Sequence, residues 1–185
     1  MITREEALGL LSLNIKNEAM IRHSLASEAV MKSIANYLGE DVEIWGFAGL
    51  LHDLDVEVTH ADAKTHGTIT PSILQQFNIP SVMVDAIVMH NEDAAPRLRE
   101  TVFEHALAAG ETITGLIMAT TYVYPDRKIA SVKTKSVVKR MKEKNFAASV
   151  KRENILECEL IGIPIDQFAE LAISAMKEIA SELGV

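Results

Sequence analysis

One cysteine, Cys158, stands among 185 residues. No intrachain disulfide can form, so a disulfide-stapled fold is excluded, and a lone thiol fits a reducing compartment. Long hydrophobic runs are also missing. The longest uncharged stretch, Thr65 to Val84, is broken by Pro71, Gln75, Gln76, Asn78 and Pro80. The next, Thr112 to Pro125, is shorter than the roughly 20 residues a bilayer needs. The first residues, MITREEALGLL, place no basic region ahead of an apolar stretch and do not read as a signal peptide. A soluble, cytoplasmic protein is expected, without a membrane span. Strand signals are few: alternating runs are scarce and no Asn-Gly hairpin occurs. Repeats, linkers and low-complexity tracts are absent.

What remains is globular and helical. Hydrophobic residues make up 48% and charged residues 24%, close to globular averages, and 185 residues suffice for one domain with a sizeable core. We expect an all-α, single-domain chain over residues 1–185. The net charge of −8 argues against nucleic acid as a partner. The charge is uneven, however. Residues 126–152 hold 10 bases against Asp126 and Glu143. That stretch is either a solvated helix face or an attractor for an anionic ligand, through residues such as Lys135, Lys139 and Arg140.

Thr3 with Glu6 forms a capping box for a first short helix. A second helix fits 17–38, closed by Gly39. Asp41 caps a third that runs to His52 or Asp53. Further helices are expected over 65–77, over 81–90 after Pro80, and over 98–124. The basic stretch 126–145 reads as partly helical. One more helix is expected near 146–161, and Asp166 is read as the cap of a last one ending at Leu183.

The third helix is the most informative. Ile44 to Leu51, IWGFAGLL, has no polar side chain on any face, which marks a buried helix. It then ends in His52 and Asp53. Two polar groups at the end of a buried helix need partners, because burying an unpaired charge is costly. Either they pair with each other or they hold a metal, and the dipeptide alone does not decide. Three further histidines raise the case for a metal. On helical spacing His23 falls with Met20, Ser27, Val30 and Ile34, His66 with Ile69, Ile73 and Phe77, and His90 with Met83, Ala86 and Ile87. Glu111 falls with Leu107, Ala108, Gly115 and Met118, and the next 14 residues carry no charge. A carboxylate in such a helix needs a cation, and neither Lys nor Arg lies within a turn or two. His105 sits about 120° around the helix from Glu111 and is left out of the site. His60 is read as a solvent-exposed loop residue. Mixed imidazole and carboxylate suit Mn, Fe, Co, Ni or Zn, and without thiolates a cysteine-type structural zinc site is excluded.

These residues, in this order, resemble the HD superfamily of metal-dependent phosphohydrolases, and more closely its small HDIG-type bacterial and archaeal members. The resemblance rests on His23, on His52 and Asp53 in AGLLHDLD, on His66 in THGTI, on His90 in AIVMHNED and on Glu111 in AAGETITGLIMA. The basic tract KSVVKRMKEKNFAASVKRENILE is similar to the matching stretch of such proteins, so the likeness covers nearly the whole chain from about residue 18. It implies an all-α bundle with a metal site between helices in a core of about 17–124, on which helices of 126–183 pack. It implies that His23, His52, Asp53 and Glu111 hold one divalent ion, and that His66 and His90 hold a second with Asp53 bridging. The family has Asp where this chain has Glu111, whose arm is longer by about 1.5 Å.

The activity so implied is hydrolysis of a small anionic phosphoester, such as a nucleotide, by a metal-activated water. Asp53 would orient metal and water, and His66 or His90 would act on the phosphate or donate a proton. A non-catalytic HD-type scaffold and a di-iron oxygenase are the alternatives. Monomer and homo-oligomer both stay open.

Overall fold

A computed structural model describes residues 2–185. Among them the fold is all-helical, with no strand. The helices are α1 (Arg4–Asn14), α2 (Glu18–Leu38), α3 (Val42–Leu51), α4 (Thr70–Leu74), α5 (Ser81–Met89), α6 (Val102–Tyr122), α7 (Thr134–Arg140), α8 (Arg152–Leu156), α9 (Ile165–Glu178) and α10 (Ala180–Leu183). Short 3-10 turns lie at Ile129–Ser131 and Glu157–Glu159.

Local chemistry sets the first three helices where the sequence places them. Thr3 Oγ1 accepts from the Glu6 amide while the Glu6 carboxylate takes the Thr3 amide, a complete capping box. Asn17 Oδ1 caps α2, and Gly39 ends it with φ +76°. Asp41 Oδ1 caps α3 by accepting from Glu43 and Ile44.

α2 is the axis of the bundle and packs on α3, α6 and α9. Val30, Met31 and Ile34 of α2 have no exposed surface and gather around Gly110 of α6. The α2–α3 crossing depends on Gly49. A Cβ there would come within 2.5 Å of Ser27 O and 2.9 Å of the Glu28 amide, both backbone atoms that cannot yield. Trp45 stacks on Phe103 with ring centroids 4.6 Å apart and so ties α3 to α6. Buried Glu28 accepts from Arg4 Nε (2.8 Å), Arg4 Nη2 (2.9 Å) and Lys32 Nζ (2.8 Å), which fixes α1 against α2.

Four expected helices come out shorter or differently ended. Only Thr70–Leu74 of the 65–77 span is helical. Gly67 at φ +91° and the Asp55 carboxylate, which gathers nearby amides, hold an irregular turn before it. α6 begins at Val102 rather than near 98, because Thr101 and Glu104 form a second capping box. The 146–161 span breaks into α8 and a 3-10 turn, with Ala147 at φ +45° ahead of them. Asp166 is not the cap of the last helix. Pro164 holds that position, Asp166 lies in the first turn, and Ile179 at φ −111°, ψ 21° separates α9 from α10.

Candidate metal centre

His23, His52, Asp53, His66, His90 and Glu111 all reach one locus, although each arrives by a different local route. His23 stands on α2 and Glu111 on α6, both long regular helices. His52 is the residue that ends α3, with Asp53 next to it. His90 ends α5. His66 is different. It lies in turns before α4, so the helical stripe with Ile69, Ile73 and Phe77 does not exist, and Asp55 positions the ring instead.

Hydrogen bonds at the outer nitrogens determine what each imidazole presents inward. His52 Nδ1 donates to Gly49 O at 2.8 Å and His90 Nδ1 to Ile87 O at 2.6 Å. His66 Nδ1 donates to Asp55 Oδ1 at 2.9 Å. Thr114 spends its own hydroxyl proton on Glu111 O at 2.6 Å, so its oxygen accepts from His23 Nδ1 at 2.9 Å. With Nδ1 committed outward on all four rings, all four Nε2 atoms face the centre.

Those nitrogens crowd one another and Asp53. His23 Nε2 lies 3.2 Å from His52 Nε2, and His66 Nε2 lies 3.1 Å from His90 Nε2. Asp53 Oδ1 stands 2.8 Å from His66 Nε2, 3.2 Å from His52 Nε2 and 3.4 Å from His90 Nε2. Asp53 Oδ2 is 3.5 Å from His23 Nε2, and Glu111 Oε2 is 3.6 Å from the same nitrogen. Facing lone pairs at such distances repel unless a cation or a proton stands among them. Two overlapping groups of donor atoms could hold a metal ion: His23, His52 and Glu111, and His52, Asp53 and His90. Nitrogen and carboxylate oxygen in this mixture fit a divalent transition ion.

The proton balance agrees. Burial pulls His66 down, but hydrogen bonds to Asp53 and Asp55 outweigh it and raise its pKa to about 10. Its Nε2 proton then sits between Asp53 and His90 and fills the role of a cation. Burial pushes the His52 ring down to about 3 and lowers His23 too, so both stay neutral. Burial pushes Glu111 up to about 8, against the Thr112 hydroxyl that donates to it. Asp53 is the opposite case: burial would raise it, yet His52 and the hydrogen bond from His66 hold it well below the usual carboxylate range.

Several residues that support the centre were not read from the sequence as functional. Asp55, fully buried, accepts from His66 and from the amides of Gly67, Ile69 and Thr70. It stands two residues after Asp53 in the quoted AGLLHDLD, so a signal was present. Arg99 donates Nε to Met89 O (2.8 Å) and Nη2 to His90 O (2.7 Å), and it pairs with Glu92 and Glu157. Asn91 donates to the carbonyls of Ala63 and His66. His105 stays outside the site and donates to Glu157 at 2.7 Å, while His60 is exposed.

The centre opens into a cleft of about 290 Å³. Its far wall comes from Ser149, Val150, Lys151 and Asn154. Lys151 is the one lysine or arginine on that lining among the described residues, and it pairs with Glu92 and with Asp93 at 2.7 Å. Lys135, Lys139 and Arg140 do not line the cleft. Lys139 and Arg140 border a separate hollow with Tyr124 and Ser136, and Arg140 is engaged by Glu143 and the Phe146 ring. α7 packs on α9 and α6, and its Lys135, Lys139 and Arg140 stay off the cleft lining, whereas Lys151 of the same basic stretch reaches it.

The chain belongs to the HD-domain family, whose model matches residues 20–120. Typical members are metal-dependent phosphohydrolases. Among curated proteins it is similar to Ribonuclease Y of Nitratidesulfovibrio vulgaris (strain DP4), 29% identical over 99 residues, which are 54% of this chain and 18% of that protein. It is likewise 30% identical over 95 residues to Ribonuclease Y of Symbiobacterium thermophilum, covering 51% of this chain and 18% of the relative. For Ribonuclease Y of Staphylococcus epidermidis (strain ATCC 12228 / FDA PCI 1200) the figures are 30% over 77 residues, 42% and 15%. The chain thus spans less than a fifth of each of these relatives. No solved structure matches it at a significant level. No helix among the described residues is long and apolar enough to cross a membrane.

Proposed function

We propose that this protein is a metal-dependent phosphohydrolase that cleaves the ester bond of a small phosphorylated molecule. The observation that carries the reading is the set of four imidazoles whose Nδ1 protons are all committed outward, leaving Nε2 atoms around Asp53. His23, His52, Asp53 and Glu111 would hold one divalent ion, and His66 and His90 a second with Asp53 between. Mn, Fe, Co, Ni and Zn all suit these donors. Such an ion, when bound, polarises a phosphoryl oxygen and makes water a nucleophile near neutral pH.

The chain's own residues supply the rest. Lys151 meets the phosphate at the cleft wall, in the role first assigned to Lys135, Lys139 and Arg140. Asp53 accepts hydrogen bonds and orients the attacking water. If one ion binds, His66 keeps its Nε2 proton and can give it to the leaving oxygen. The wall supplied by 149–154 also supports treating residues 1–185 as one working domain, with the C-terminal helices completing a cleft that the 17–124 core opens.

The relatives are named ribonucleases, which for this chain would mean an RNA phosphodiester as substrate. The net charge of −8 and the carboxylates of Glu92 and Asp93 beside Lys151 favour a small ester instead. The test is metal analysis of the purified protein, followed by hydrolysis of a panel of phosphomonoesters, cyclic and linear dinucleotides and RNA with each of the five metals. Stoichiometric metal with turnover of a monoester is expected. Metal-free protein that stays inert with every metal would favour the scaffold reading. Oxygen uptake by an iron-loaded form, without hydrolysis under anaerobic conditions, would favour the oxygenase.

A further inference from the structure

A second groove, of about 200 Å³, opens beside the cleft between α2 and α6. Ala19, Arg22 and Ala26 of α2 form one side, and Met118 and Tyr122 of α6 the other. These positions recur at three- and four-residue spacing on each helix, so the groove follows both helices away from the centre. Its inner end is made by His23 and Gly115, which also line the cleft. Gly115 keeps the junction open, because a Cβ there would stand 3.3 Å from Val150 Cγ2 on the opposite wall.

The chemistry of this groove differs from that of the cleft. No carboxylate lines it, and Arg22 is its one charged residue, paired at 3.1 Å with the outward Glu18. Tyr122 is 50% exposed, although it ends an apolar helix. Small residues at 19, 26 and 115 leave room on a lining that carries a phenol ring and a guanidinium. Both of those surfaces favour the face of a planar ring over a sugar or an alkyl chain.

We propose that this groove binds the non-phosphate part of the substrate, and that this part carries a flat aromatic or heteroaromatic ring. The inference rests on the phosphohydrolase reading for the place of the phosphate, with the ring lying past His23 and Gly115.

The test compares matched esters with and without the ring: phenyl phosphate against methyl phosphate, and adenosine 5′-monophosphate against ribose 5-phosphate. Affinity is measured by calorimetry on metal-free protein, and kcat/KM on metal-loaded protein. The ring-bearing member of at least one pair should bind about tenfold tighter, which is about 1.4 kcal/mol. Preference in the phenyl pair alone supports an aryl phosphate, and preference in the adenosine pair supports a nucleotide. Tyr122→Ala should remove most of the preference and leave the ringless esters unchanged. Ala19→Leu, on the exposed face of α2, should do the same by filling the groove, and it serves if Tyr122→Ala does not fold. Equal affinities within both pairs, or a preference that survives both variants, would overturn the proposal. A ring preference in binding without any hydrolysis would sink the phosphohydrolase reading and leave the groove assignment standing.

Discussion

Asp55 Oδ1 accepts the Nδ1 proton of His66 at 2.9 Å, and the other oxygen of the same carboxylate accepts the Ile69 amide at 2.8 Å. One buried side chain therefore aims an imidazole and also shapes the turn that carries it. Asp55→Asn keeps the volume but turns one acceptor into a donor facing donors. Leaving buried N–H groups unpaired costs about 1–3 kcal/mol. We expect a loss of stability of that order in urea unfolding. Metal affinity should fall by about 10–100-fold, the usual scale for losing an outer partner of a ligating histidine. Unchanged metal affinity would show that His66 is aimed by its turn alone.

His52→Ala or Asp53→Ala should remove metal and activity together, because each contributes to the donor groups at the end of α3. Asp53→Ala should also destabilise the metal-free protein, since the raised proton on His66 loses its closest acceptor, at 2.8 Å. Full metal content in both variants would refute the assignment.

A pH dependence follows from two groups with raised values. His66 titrates at about 10 and Glu111 at about 8 in the folded, metal-free protein, both above their ordinary 6.5 and 4.5. From pH 6.5 to 8 the folded state therefore holds protons that the unfolded chain has lost. Stability of the chelator-treated protein should fall as pH rises through this window, because stability rises with pH only where the unfolded state binds more protons. Metal uptake should run the other way and tighten with pH, since the ion must displace those protons. Calorimetry in two buffers of different ionisation enthalpy should count at least one proton released per ion. No release would mean that both groups keep their protons and lie outside the ligand set.

Lys151→Gln should raise KM for the phosphoester about tenfold with metal content unchanged, whereas Arg140→Gln should leave both alone. A lost charge-assisted hydrogen bond is worth about 1.5–3 kcal/mol, which covers that factor. The reverse pattern would return substrate binding to Lys135, Lys139 and Arg140.

The contrast between Lys151 and Arg140 shows where the sequence is informative. His23, His52, Asp53, His90 and Glu111 sit on, or end, regular helices, so periodicity and caps bring them to one interior. His66 reaches the same place through turns governed by Asp55, and no helical period describes that route. Lys151, just before α8, meets Glu92 and Asp93, just after α5, a long-range contact without a local signal. Composition alone could not choose among ten bases in one stretch. The early helices were legible because Thr3, Asn17, Gly39 and Asp41 cap them. The 146–161 region was not, since it is held by Arg152 donating to the carbonyls of Phe146, Ala147 and Val150.

Glu111 is the sharpest test of the centre. Its Oε2 lies 3.6 Å from His23 Nε2 with the Glu arm in place, and its backbone carbonyl accepts the hydroxyl of Thr114, which in turn orients His23. The backbone at 111 is thus tied to the ring that the side chain approaches. Glu111→Gln keeps the size and removes the charge. It should weaken metal binding by about 10–100-fold and abolish the part of the pH dependence centred near 8. Glu111→Asp draws the carboxylate back by about 1.5 Å. Because the Thr114 link fixes the backbone, the shorter arm should fall short, and metal affinity should drop while the fold holds. An Asp variant equal to or better than the parent would mean that the helix stands where the family's usual Asp would reach. A Gln variant with unchanged metal affinity and turnover would place Glu111 outside the ligand set, as a carboxyl that stays protonated beside Thr112.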